Sequence, residues 1–190
     1  MSDLKLFMVL LGCKPPGRHT EQHDVFFGIA TALKELVPEI KEFWKEGGDK
    51  IHIDAWREVS VVEGYQVKVS LRSEKESSVL KKKHQLFFIN LGGYQEKVFG
   101  EQHYVLLTIK EDRATALKTS KETLFFQFNH AEGASSHIDD KYGIDVDDIY
   151  EMEEILSPHQ REKYKIDFIP SSGSPEDLMH LGYLKLNLLK

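Results

Sequence analysis

Two short stretches in the first third of the chain carry the side chains most able to do chemistry: Glu21-Gln22-His23 and His52-Ile53-Asp54. In an extended segment, residues two apart point to the same face, so Glu21 can act with His23 and His52 with Asp54. If the two stretches neighboured each other in space, two imidazoles and two carboxylates would form a donor set suited to Zn, Mn or Fe. The same groups could instead transfer a proton, with histidine as the base and a carboxylate orienting it. The spacing matches no established metal signature. The plainer role is structural: a histidine hydrogen-bonded at a strand end, its carboxylate paired with it or with a neighbouring loop.

Both pairs recur downstream, as Glu101-Gln102-His103 and His137-Ile138-Asp139, so the candidate cluster is Glu21, His23, His52, Asp54, Glu101, His103, His137 and Asp139. Recurrence extends well beyond these residues. At an offset of 80, residues 6 to 29 match residues 86 to 109 at nine of 24 positions without a gap, including "LFMVLLG" against "LFFINLG". Ala30-Thr31-Ala32-Leu33-Lys34 then matches Ala114-Thr115-Ala116-Leu117-Lys118, and Gly64-Tyr65 is echoed by Gly182-Tyr183. Such self-similarity marks an internal repeat. It also favours the structural role for the histidines, because a fold constraint must be met in every copy whereas an unused active site degenerates.

Period and punctuation supply the elements. In each copy the first apolar run, Leu4 to Leu11 or Gln85 to Leu91, reads as a strand covered on both faces. A second strand follows at His23 to Ile29 and at His103 to Ile109. Helices are expected over Thr31 to Lys45, with Pro38 as a kink or boundary, and over Ala114 to Phe128. Residues 51 to 70 read as a hairpin turning at "VEGY". "SSGSPEDLMHLGY" suggests a short helical turn capped by Ser174, with Pro175 at its first position.

The fold class expected is therefore α+β: two tandem β-β-α-β-β repeats, mostly antiparallel sheet with helices packed on one face, related by a pseudo-twofold. The first repeat spans residues 1–70, a polar linker 71–83, and the second repeat 84–190, with an acidic insertion at about 140–180. The order of strand LFxxxLG, then ExHxV, then HID, then GY and a strand, resembles a small bacterial family, domain of unknown function 1543, whose domain occurs in one or two copies per chain. "EQHDV", "HIDAW" and "GYQVKV" carry the resemblance, which covers nearly the whole chain. It implies a duplicated α+β domain and no established activity, and it transfers no catalytic residues.

Other motifs are weaker. "GCKPPGRHT" has the glycine spacing of a phosphate loop, but Pro15 and Pro16 remove two N–H donors and Arg18-His19 replace the lysine and hydroxyl. Arg18, His19 and Trp56 are secondary site candidates because they lie where the two copies differ; at the running offset Lys141 stands opposite Trp56. Cys13, the only cysteine, has a histidine six residues on and makes a poor case for a nucleophile. The acidic run from Asp139 to Glu154 lacks the order of an EF-hand loop and reads as a solvated loop and helix face.

Composition bounds the functions. In 190 residues with net charge -6 there is no basic stripe, which argues against nucleic acid, and 41% hydrophobic content indicates a folded core. The apolar run near the start is too short for a membrane span, and a single cysteine suits a reducing, cytoplasmic setting. The reading is a non-catalytic module binding a small molecule or a protein, or forming a homodimer through sheet edges, with no cofactor called for. The alternative is a metal-dependent or acid/base enzyme, its divalent ion held by the Glu-x-His and His-x-Asp pairs.

Overall fold

The structure, a computed structural model, describes residues 3–73, 83–93, 97–120, 122 and 144–189. It is a mixed α+β protein in which, among the described residues, every strand pairing is antiparallel. The chain divides into two compact units, Met1–Ser77 with Leu156–Lys190, and Ser78–Ile155.

In the first unit, β1 (Lys5–Cys13), β2 (Gln22–Ala30), β3 (His52–Glu58) and β10 (His180–Lys185) form a four-stranded sheet of order β10-β3-β1-β2. Alternation decides which face of β1 does what. Phe7, Val9, Leu11 and Cys13 point one way into a core with Phe26, Leu36, Ile40 and Ile53, which leaves Gly12 on the other face. The core is closed by a short 3-10 turn, Leu33–Leu36, running into α1 (Val37–Phe43) and a second 3-10 segment, Lys45–Lys50. Pro38 sits in the first turn of α1, where its missing N–H costs nothing, so it starts a helix rather than kinking one.

The expected hairpin over residues 51 to 70 is built differently. The turn is where "VEGY" put it, with Glu63 and Gly64 at positive φ of 48 and 78°, but it joins β4 (Val61–Val62) to β5 (Tyr65–Leu71). Instead of returning to β3, β5 pairs with β9 (Tyr164–Pro170) in a separate three-stranded sheet. The place beside β3 goes to β10, with Leu184 opposite Ile53. Residues from Leu156 onward thus fold with the first unit, which departs from a second repeat running to residue 190. Leu184, Leu186 and Leu189 pack on the first unit's core, and pairing with β10 satisfies backbone groups that β3 would otherwise expose. The helical turn expected near Ser174 is an irregular loop, in which Asp177 accepts from the Ser60 amide at 3.0 Å and from its hydroxyl at 2.5 Å.

The second unit contains β6 (Gln85–Gly93), β7 (Gln102–Lys110) and β8 (Ile144–Glu151) in the order β7-β6-β8, with α2 (Arg113–Ser120) and α3 (Met152–Ile155). Its core gathers Phe87, Ile89, Leu91 and Ala116. The helix expected over Ala114 to Phe128 is α2 as far as Ser120; residues 123–128 lie outside the described residues. Part of the acidic run expected as loop and helix is strand β8. Residues 156–163 return to the first unit through α4 (Pro158–Lys163), which Ser157 caps by accepting from the Gln160 amide.

Candidate metal centre

Gly12 is the middle of a row across three strands: it pairs with His23 on β2 and with His52 on β3. Directly paired residues share a face, so both imidazoles rise on either side of a position with no side chain. Asp54 joins them because β3 bulges there. Leu10 pairs with Ala55 and Leu11 with Ile53, which leaves Asp54 as an extra residue that the bulge turns toward the row. Glu21 lies just before β2, one residue beyond the last paired position.

The four side chains meet. His23 Nε2 is 3.1 Å from Asp54 Oδ2 and 3.8 Å from Glu21 Oε2; His52 Nε2 is 3.1 Å from Glu21 Oε1 and 3.4 Å from Asp54 Oδ1. Each carboxylate therefore straddles the two rings. His52 is 6% exposed and Asp54 25%, whereas Glu21 and His23 are nearly half exposed, so the group has a buried floor and an open side.

Hydrogen bonding makes the arrangement unusual. His52 Nδ1 lies 3.1 Å from the Lys50 carbonyl, which can only accept, so Nδ1 carries the hydrogen. In the neutral ring Nε2 is then a lone pair facing two carboxylate oxygens. Despite the short separations, His52 Nε2 and Asp54 Oδ2 are buried with no aligned hydrogen bond. Acceptors turned toward one another need a positive charge between them, supplied either by a proton on Nε2 or by a metal ion, and an imidazole held by its far nitrogen to a carbonyl is the usual posture of a metal ligand. The four pairwise separations bracket the ~3.4 Å between donors on a tetrahedral ion with bonds of about 2.1 Å, but they use both oxygens of each carboxylate, and no three of these residues offer one ligand atom each within 4.8 Å of one another. Closing on one ion would require each carboxylate to turn a single oxygen inward.

Gly12 is part of this site although it offers no ligand. A Cβ there would collide with Asp54 Oδ2 and His52 Nε2, so only glycine leaves the space open. The identity of Gly12 and Gly92 in the two matching segments was the available signal.

In the second unit the same register brings together Glu101, His103 and Asp147. Gly92 pairs with His103 on β7 and with Asp145 on β8, and a bulge between Asn90 and Leu91 leaves Asp147 as the extra residue. His103 Nδ1 is 3.1 Å from Asp147 Oδ2, and Nε2 is 3.9 Å from Glu101 Oε2. Among the described residues this trio alone brings one ligand atom from each of three such side chains within 4.8 Å of one another. A Cβ on Gly92 would come within 2.7 Å of Glu101 Oε1 and 2.5 Å of Asp147 Oδ2. The expected partners His137 and Asp139 lie outside the described residues. Asp145 and Asp147 hold the register of His52 and Asp54, so the His-Ile-Asp identity does not mark the corresponding strand. Ile149, rather than Lys141, corresponds to Trp56.

The secondary candidates stand apart. Arg18 and His19 are exposed in the β1–β2 loop, where no hydrogen bond or ion pair among the described residues links them to the cluster. Trp56 stacks on His180 with centroids 3.9 Å apart and packs near Phe7. Cys13 is buried, its thiol 3.7 Å from the Gly47 carbonyl, and burial pushes its pKa up, which suits a packing residue. Sequence reasoning missed Tyr183, whose ring lies 4.3 Å from that of His52, because β10 reaches β3 from the far end of the chain.

Among known structures, the protein Il1583 from Idiomarina loihiensis is similar in fold, with a TM-score of 0.61 at 20% identity over 97% of this chain and 98% of that one. No curated protein matches the chain. Residues 18–69, which contain Glu21, His23, His52 and Asp54, match the model of a Domain of Unknown Function (DUF1543), and over that segment the family resemblance carried by the motifs is shown.

Proposed function

We propose that this protein binds a divalent transition-metal ion through Glu21, His23, His52 and Asp54 and uses it to hold a small molecule. The observation that carries the reading is His52: a buried ring whose Nδ1 is committed to a backbone carbonyl and whose orphaned Nε2 faces two carboxylates above Gly12. Mixed imidazole and carboxylate donors suit Zn, Mn, Fe or Co rather than Ca or Mg. The metal would draw the small molecule by offering it a coordination position on the open side, where His23 and Glu21 are nearly half exposed. That open side also favours a second reading, a metal-dependent enzyme, because an exchangeable position is what activation of a bound water requires.

We also infer that the two units derive from one duplicated element. The matching registers of β1–β2 with β6–β7, the two bulges and the two glycines support this, alongside the sequence identities. The second site would then be a divergent copy in which Asp145 stands at the register of His52.

Elemental analysis of protein purified without added metal tests the reading. About one equivalent of metal is expected per chain in the wild type, with loss in His52→Ala and in His23→Ala. A bound ion at 100 times its Kd adds about 2.7 kcal/mol of stability, so chelation should lower Tm in the wild type and leave the variants unmoved. Wild-type protein that neither contains nor takes up Zn, Mn, Fe or Co would refute it.

A further inference from the structure

His52 and Glu21 end a cleft of about 850 Å³, which lies within the ~300–1,000 Å³ typical of small-molecule sites. Its walls are basic although the chain as a whole is acidic, with net charge -6. Lys14, Lys41, Lys50 and Lys185 line it. Lys41 is paired with Asp49 at 3.0 Å, whereas Lys14, Lys50 and Lys185 have no carboxylate partner among the described residues. Glu21 faces His52. Resting on the metal reading, the charge count is simple: two carboxylates neutralise a divalent ion, Asp49 neutralises Lys41, and three positive charges remain.

We propose that this cleft takes a small molecule carrying an oxyanion, a phosphate or a carboxylate, held between the three lysines and the metal at His52. All three lysines are exposed. They come from the β1–β2 loop, from the segment before β3 and from the end of β10, three separate parts of the chain that line one cleft together with His52, whose Nε2 is buried without a hydrogen-bond partner. Clefts lined by one sign of charge concentrate the opposite charge. Tyr183, whose ring lies against His52, and Asn187 add polar groups that could orient the rest of the ligand.

Calorimetric titration with inorganic phosphate and with malonate, each against a chloride control of equal ionic strength, tests the proposal and separates the two oxyanions. The wild type is expected to bind at least one of them, more weakly as salt rises. The triple variant Lys14→Gln, Lys50→Gln, Lys185→Gln should bind it at least tenfold more weakly while keeping wild-type metal content and Tm. Binding equal in the triple variant and the wild type, or no binding of either anion, overturns the proposal. Lysine-dependent anion binding by a wild type that holds no metal would uphold the anion site and refute the metal reading, so the two failures are distinguishable.

Discussion

A glycine with no ligand atom governs the candidate site. Gly12 lies between His23 and His52 in the strand row, and the space above it is where a Cβ would meet His52 Nε2 and Asp54 Oδ2. Gly12→Ala is therefore expected to lower metal content at least tenfold while leaving the circular dichroism of the sheet unchanged. The cost in stability should be about 1–3 kcal/mol if Asp54 and His52 hold their places against the added methyl, and less if the Asp54 carboxylate swings aside. Metal analysis and urea unfolding of the same preparation check both parts, and full metal content in the variant would remove Gly12 from the site.

Strand irregularities and edges set the rest of the geometry. The bulge at Asp54 aims a carboxylate at the row, and the one at Asp147 does the same in the second unit. The outer edge of β2 is closed by a side chain. Buried Gln160, on α4, accepts from the Ile29 amide at 2.9 Å and donates to the Ile29 carbonyl at 3.2 Å, so its amide stands in for one residue of a neighbouring strand. It also donates to Glu39 Oε1 at 2.9 Å, tying α4 to α1. Gln160→Ala would leave two buried backbone groups unpaired, for an expected loss of about 2–4 kcal/mol in urea denaturation. A loss below about 0.5 kcal/mol would mean that water replaces the amide.

The last segment of the chain folds with its first. Residues from Leu156 onward supply β9 to pair with β5 and β10 to pair with β3, and they complete the core through Leu184 and Leu186. A chain ending at Ile155 should accordingly lose cooperative unfolding of the first unit and its metal with it. The second unit, whose three strands pair among themselves, should keep slowly exchanging amides in β6. Hydrogen exchange of the shortened chain checks this. Protection of β1 and β3 at full-length levels would show that the returning segment is dispensable.

What the amino-acid order determined by itself is local. Continuous apolar runs and the turn chemistry between them specify β1 and β2 or β6 and β7, because such pairs are adjacent in sequence. Two-residue periodicity placed Glu21 with His23 and His52 with Asp54 on shared faces. The identity at the offset of 80 pointed to corresponding strands. The tertiary structure alone decided the rest. Pairing over more than a hundred residues, as between β3 and β10, leaves no periodic trace, since any exposed edge of suitable length could serve. Register is likewise invisible to residue identity: His137 and Asp139 repeat the letters of His52 and Asp54, but Asp145 and Asp147 occupy their positions. Ladder hydrogen bonds select a strand by backbone position, and only the folded sheet shows which one was selected.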